Sequence, residues 1–597
     1  MYAQPELVPL TLTSGFTSQL RPTLSAAWRK SREYVFEQSG AMTGRAAKYL
    51  CRIFCLWLAI AGLSCKSWGK FWEIASVSIA ALGGRSTGEL WSNTLIGNST
   101  GSVDRVEVSV AGGAWLPASG TAPWRYEIPF SANLKIGKRY TFSARAVDSE
   151  GSVVATQSGE LLRRENHDIN GDGYADFAIA ATARNSSTGS VYIYYGAAAP
   201  QYATGSSAAA TIITGGGTQR AFGTALALGD INGDGYADLA VGGEQYAAGA
   251  YSGAMWIFLG SNSGILSQAA LAAPQYVGLA TGDYYGGAVA IGDLNGDGYQ
   301  DVVVGARERP GPTGEIYAYL GSASGLLLTV ANTKTGIGSE RLGSSLAVID
   351  VNNDGLADIL VGAPTSANGT VYIFHGTATG FNTTAAATIL GENAADRFGD
   401  GVFPGDFNND GYVDLAVQAR DHNAGLATQG KVYVFSGGAS GIGSFTANSS
   451  THLNISGEFA ASNFGRRAFM TDANGDGFAD LFFSAYLPAA LPGKIYSLPG
   501  SAGGFTSANA GAITRQITGI TNGDGFGVSF GLKDINGDGF ADLIGGAYNR
   551  NAGAGAGQGA ASVFLGSNAI FTSPSAAEAN FTLTGEAGGD IFGLVVY

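Results

Sequence analysis

Seven copies of one nine-residue pattern, Asp-x-Asn-x-Asp-Gly-x-x-Asp, recur along this chain, starting at Asp168, Asp230, Asp293, Asp350, Asp406, Asp472 and Asp534. Successive starts lie 62, 63, 57, 56, 66 and 62 residues apart. A period of this size marks a propeller, a solenoid or an array, because one repeat cannot bury its apolar face alone. The pattern is also a chemistry. Carboxylates at positions 1, 5 and 9 and an amide at position 3 make an oxygen cage for a hard cation.

Calcium takes six to eight oxygens at about 2.3–2.6 Å in a flexible shell. Glycine at position 6 permits a sharp turn, since it tolerates positive φ. Position 7 then offers its backbone carbonyl. The candidate ligand sets are Asp168, Asn170, Asp172, Tyr174 and Asp176; Asp230, Asn232, Asp234, Tyr236 and Asp238; and Asp293, Asn295, Asp297, Tyr299 and Asp301. They continue with Asp350, Asn352, Asp354, Leu356 and Asp358; Asp406, Asn408, Asp410, Tyr412 and Asp414; Asp472, Asn474, Asp476, Phe478 and Asp480; and Asp534, Asn536, Asp538, Phe540 and Asp542. The opening resembles an EF-hand loop, but no Glu stands at position 12 and no helical pattern flanks it. The loop suits a strand hairpin instead. Magnesium demands stricter geometry and holds its waters. The lack of Cys and His in the cages disfavours zinc and copper. Up to seven calcium ions are expected.

The cages hold 21 of the 47 acidic residues, and seven calcium ions would offset the formal net charge of −14. Acidity concentrated in metal sites argues against nucleic acid as a partner.

An aromatic or leucine followed by Gly stands eight residues before six of the seven starts: Phe222-Gly223, Tyr285-Gly286, Leu342-Gly343, Phe398-Gly399, Phe464-Gly465 and Phe526-Gly527. After each cage comes a short apolar run such as Asp301-Val-Val-Val-Gly305, which reads as a buried strand. A third strand carries alternating aromatics, as in Val371-Tyr-Ile-Phe374, and a fainter fourth follows, as in Ala210-Thr-Ile-Ile-Thr214. Four strands per repeat, seven times over, predict an all-β, seven-bladed β-propeller across 161–597. The first cage has Glu160 where the aromatic should be, and the chain carries a spare Phe592-Gly593 with no cage after it. Residues 591–597 are therefore expected to supply the missing leading strand of the first blade, which removes two open sheet edges.

Phe-Gly, the Asp cage, Val361-Gly-Ala-Pro364 and Val371-Tyr-Ile-Phe374 together resemble the FG-GAP repeat of integrin α-subunit propellers and of related secreted or surface proteins. The resemblance covers about 160–597. It implies the propeller, calcium and an adhesive role toward an extracellular protein or polysaccharide. Unlike integrins, where several blades lack the calcium loop, all seven carry it here. The Gly-Ala-Pro element is complete once, and no Arg-Gly-Asp appears.

Residues 85–160 read as a small β-sandwich, and Val106-Glu-Val-Ser-Val-Ala-Gly-Gly-Ala-Trp115 through Ala146-Val-Asp148 resembles bacterial Ig-like domains. Residues 1–84 form an N-terminal extension. Its stretch 42–52 is basic, 53–63 is an apolar run of eleven, and small residues follow, which is the layout of a secretory signal. That run is too short to span a bilayer as a helix. Gly62-Leu-Ser-Cys65 approaches a lipid-anchoring motif, and an uncleaved tether is the other reading. All three cysteines, Cys51, Cys55 and Cys65, lie here, so calcium rather than disulfides is expected to tie the blades. Millimolar calcium outside cells agrees with a secreted or surface protein.

No catalytic constellation stands out, and no enzyme activity is expected. His167 abuts the first cage, while His375, His422 and His452 are scattered. No Gly-x-Ser-x-Gly elbow or phosphate-cradling loop appears. The loops after the second strands, 306–312, 418–423 and 547–551, are rich in basic and aromatic groups and are the expected ligand face. Were the chain a polysaccharide lyase or a phospholipase-like hydrolase, Arg307, Arg309, Arg420 and Tyr548 would be its candidates. A purely structural surface component is the third reading.

Overall fold

A computed structural model describes residues 75–597, apart from 81–86, 91, 129–133, 135–138, 164–165, 217–220, 246–251, 270–274, 424, 448–452, 487–490, 502–504, 506–507, 570 and 572–574. The segment 42–65, all three cysteines and His452 lie outside the described residues. The chain is all-β: among the described residues the longest helix is the four-residue Arg184–Ser187.

The N-terminal part pairs two sheets. One contains Ser76–Ile79, Thr94–Thr100 and Trp124–Glu127; the other contains Val153–Arg163, Arg139–Val147 and Arg105–Val110. Alternation in Arg105–Val110 turns Val106 and Val108 inward, where they meet Trp124, Phe142 and Leu161 in one core shared by both sheets. Val77 and Ile79 join that core. The apolar stretch 71–82 is thus partly a strand, and its hydrophobicity belongs to sheet packing.

Seven further sheets follow the repeat. Each places a leading strand, the Asp loop, a fully buried second strand, an aromatic third strand and a fourth strand in antiparallel order. The third sheet shows it: Tyr285–Gly292, Asp301–Ala306, Glu315–Tyr319 and Val330–Thr335. The second strands are buried on both faces, which explains their continuous apolar runs. None of the sheets closes on itself.

The aromatic-Gly pair marks a bend at the foot of each leading strand. Its glycine has φ between 76° and 93° in all seven copies, a region that a side chain would strain. At Gly223 a Cβ would also lie 2.7 Å from that of Ala180. The aromatic ring goes into the core, as Phe222 does against Trp256 with ring centroids 5.2 Å apart.

Sheet one takes its leading strand from the other end of the chain. Phe592–Val596 pairs antiparallel with Phe177–Ala181, and Ala178 and Tyr597 exchange backbone bonds of 2.8 and 2.9 Å. Leading strands of successive sheets touch in order. The seventh, Phe526–Lys533, touches Phe592–Val596, which in turn touches the second, Ala225–Gly229.

Candidate metal centres: seven acidic loops

Every Asp loop joins a leading strand to its second strand, and all seven fold alike. In the second, the amides of Asp234 and Gly235 donate to the two oxygens of Asp230, at 3.1 and 3.0 Å. Asn232 Nδ2 donates to Asp234 Oδ2 at 2.8 Å, and the Tyr236 amide donates to Asp234 Oδ1 at 3.0 Å. The glycine at position 6 has φ between 85° and 96° throughout, which lets the turn bring positions 1, 3 and 5 to one side.

Position 9 is the most strictly held. Asp238 is wholly buried, with one oxygen accepting from Ile231 N at 2.9 Å and the other from Gly260 N at 2.8 Å. The same two bonds hold Asp176, Asp301, Asp358, Asp414, Asp480 and Asp542. The second donor is always the glycine that ends the third strand, where added bulk would strike backbone: a Cβ on Gly260 would sit 2.3 Å from the Ala237 oxygen.

The loops are also bonded to one another. Ala237 N donates to Asp168 O at 2.8 Å, Gln300 N to Asp230 O at 3.2 Å and Ala357 N to Asp293 O at 2.8 Å. Ala197 N reaches Ile535 O at 2.9 Å and ties the seventh loop to the first sheet.

Among the described residues no three His, Cys, Asp or Glu side chains are already gathered around one point as a metal would hold them. The fit of a cation shows instead in the charge that the loops bury. Asp238 and its six equivalents form no ion pair among the described residues. Burial pushes the carboxyls of Asp301, Asp414 and Asp480 up to about 7 and that of Asp358 up to about 6. Burial, reinforced by Asp168 and Asp172, holds Asp176 well above the ordinary range. Oxygen-only donor sets that bury uncompensated negative charge suit a hard cation.

The sandwich lies against this acidic end. Ser92 Oγ donates to Asp168 Oδ2 at 2.7 Å and Asn93 Nδ2 to Asp230 Oδ2 at 3.1 Å. Arg139 Nη2 donates to Gly477 O at 3.2 Å. A cavity of about 650 Å³ remains between Arg125 and Arg163 on one side and Asp230, Asp293 and Asp350 on the other. His167 and His375 border the loops: Asp176 N donates to His167 O, and His375 Nδ1 lies 3.4 Å from Asn352 Nδ2.

The loops after the second strands stand at the opposite strand ends, but their cations are already engaged. Arg307 pairs with Glu244, Arg309 with Asp283 and Glu315, and Arg420 with Asp400 at 3.1 Å. Tyr548 and Tyr486 share a hydroxyl bond of 2.6 Å. His422 Nδ1 meets Asp396 at 2.6 Å in a buried pair. Two cations that the loop search passed over, Arg466 and Arg467, stand at the same end, just before the leading strand Ala468–Thr471. The signal was in the sequence: Thr224, Gly287, Ser344, Asp400, Val528 and Leu594 occupy the place of Arg466 in the other repeats.

Family models match in two forms. The FG-GAP-like repeat matches residues 168–241, 293–361 and 350–417, and the FG-GAP repeat matches 526–564. The chain is 38% identical over 146 residues to integrin alpha-6 of Gallus gallus, across 22% of this chain and 13% of that protein. It is 35% identical over 159 residues to phosphatidylinositol-glycan-specific phospholipase D of Rattus norvegicus, across 24% and 18%. To integrin alpha-4 of Xenopus laevis it is 28% identical over 218 residues, across 34% and 20%. The chain thus spans a fifth or less of the length of these relatives. Among solved structures, a rhamnogalacturonan lyase of Bacillus licheniformis aligns over 82% of this chain and 91% of its own, with 13% identity and a TM-score of 0.33. A likeness that loose carries no conclusion.

Proposed function

From a chain that carries FG-GAP repeats and resembles integrin alpha subunits, we propose a calcium-stabilised binding module of the cell surface or the extracellular space. The seven sheets are read as the blades of one propeller, with 591–597 completing the first blade. The two N-terminal sheets are read as an Ig-like spacer. The ligand is an extracellular protein or glycan.

One observation carries the reading. Seven loops of one sequence and one hydrogen-bond pattern bury their position 9 carboxylates without a cationic partner among the described residues. In each loop the side chains at positions 1, 3, 5 and 9 and the position 7 carbonyl would hold calcium. The ion would supply the positive charge that the buried carboxylates lack. Position 9 is bonded to the end of the third strand, so the charge would be delivered where three strands of one sheet meet. That is a stabilising role. It leaves the opposite strand ends for ligand.

The integrin-like repeats favour binding over catalysis. The arginines that a lyase would call on, Arg307, Arg309 and Arg420, are held in ion pairs. No helix among the described residues is long and apolar enough to cross a membrane. Any membrane tether is assigned to the N-terminal segment 42–65.

The test is capture of the purified chain on an array of matrix proteins and polysaccharides, with calcium and with chelator. Calcium-dependent capture of one class, with the target left intact, is expected. A shortened target would establish an enzyme, and no capture at all would leave a structural component.

A further inference from the structure

Arg467 combines two properties that rarely coexist. Protein surrounds it closely enough that burial, with the neighbouring charge of Arg466, pushes its guanidinium down to about 10. Yet its side chain keeps part of its surface in solvent, and its nitrogens are not among the sealed, unpartnered polar atoms of the molecule. A group enclosed by protein and still wet lines a water-filled opening.

Its position explains the opening. Arg466 and Arg467 lie where the leading strands of successive sheets come together, at the end remote from the Asp loops. Arg466 donates its Nε to the Val528 oxygen of the neighbouring leading strand at 3.0 Å, and its guanidinium lies 6.0 Å from the ring of Tyr486. The guanidinium of Arg467 has no hydrogen-bond or ion-pair partner among the described residues; only its backbone is engaged, with Ser484.

The nearest acid does not neutralise the pair. Asp400 already receives Arg420 at 3.1 Å and Arg397 at 3.5 Å. Four arginines therefore converge on Asp400 and Asp421, a local excess of positive charge in a chain whose formal charge is −14. A low-dielectric opening strengthens that field for an incoming anion.

We propose that Arg466 and Arg467 form the anion subsite of this module, and that its occupant is the carboxylate of a uronate residue in an acidic glycan. The site rests on the binding-module reading and gives that reading a ligand class. A guanidinium fork matches a carboxylate in two parallel bonds, and Arg467 has its donors unspent. Beside the fork stand Tyr486 and Tyr548, edge to face with ring centroids 5.7 Å apart and their hydroxyls joined. Tyrosine presents an apolar body and a polar tip. A sugar ring that bears a carboxylate fills both parts, with its C–H face on the rings and its acid on the fork. An Asp or Glu side chain supplies the acid but leaves the tyrosine wall uncovered.

The experiment is calorimetric titration of the full chain in calcium with trimers of galacturonate, glucuronate and mannuronate. Galactose trimer and glutamate trimer are the controls, and Arg467→Gln, Arg467→Lys and Arg466→Gln are the variants. At least one uronate trimer is expected to bind, with the neutral sugar silent. Arg467→Gln should weaken binding about 10- to 100-fold, the range for a lost charge-assisted bond. Arg467→Lys should fall between, with melting temperatures unchanged. Equal binding of glutamate trimer would overturn the glycan assignment in favour of an acidic peptide. Absence of binding by every uronate overturns the subsite. If the array still captures a target that ignores both arginines, the module reading survives; if nothing is captured, both readings fall.

Discussion

Ser92 of the N-terminal sandwich donates its hydroxyl to Asp168, the first residue of the first acidic loop, at 2.7 Å in a buried contact. Two parts of the chain thereby share one carboxylate. Replacing Ser92 with Ala strips that oxygen of its buried donor, at a cost of about 1–3 kcal/mol. A bound cation would partly replace the donor. Denaturant titration should show a larger loss in chelator than in calcium, and equal losses would separate the contact from the metal site.

Asp234 stands at position 5 of the second loop and, unlike position 9, is held only by its own loop. Asp234→Ala should remove one ion and leave the strand pairing intact. At calcium a hundredfold above Kd, a site contributes about 2.7 kcal/mol. The melting temperature should drop in calcium and stay level in chelator. A drop of the same size in both conditions counts against calcium in this loop.

Position 9 sets the pH response. Asp301, Asp414 and Asp480 are raised by burial from 3.8 to about 7. A carboxyl raised in the folded state favours folding while protonated, and that stability is lost as pH rises through the folded value. In chelator, the melting temperature should therefore fall between about pH 4 and pH 7. With calcium bound the carboxylates are compensated and the fall should disappear. Melting curves across that window, with and without calcium, decide it; a fall that persists in calcium rejects the metal as their partner.

Phe592 is wholly buried and packs edge to face on Tyr192 at 5.2 Å. If the strand it begins is a full member of the first sheet, Phe592→Ala should cost about 3–5 kcal/mol, as for other core aromatics. Phe398→Ala in mid-chain is the matched control. A loss below a third of the control would mean that the strand frays. Deletion of 591–597 should cost still more.

The periodic part of the molecule was legible because two rules repeat without exception. Glycine at position 6 and after the aromatic is dictated by left-handed backbone, and the second strands announce burial through their apolar runs. The place of Phe592–Val596 was legible from a mismatch, a leading strand too many at one end and Glu160 at the other. Other features carry no mark. The residue before the aromatic is left-handed at Ala221, Tyr284, Arg341, Arg397, Asn463 and Ile591, residue types that do not advertise it. The bonds from Ser92 and Asn93 to the acidic loops depend on how the sandwich lies against the repeats, which no local pattern encodes. Arg307, Arg309 and Arg420 drew notice as loop cations, but their acidic partners come from other segments. That left the inconspicuous Arg467 as the open donor.

The pairing of Phe177–Ala181 with Phe592–Val596 has a consequence for biogenesis. The first sheet to leave the ribosome lacks its inner strand until the last stretch of the chain has emerged. Its central edge stays open throughout synthesis, and the contact that completes it is among the most distant in the chain. Assembly of the whole is thus expected to be late and slow. A chain halted before residue 592 would present that bare edge to its neighbours.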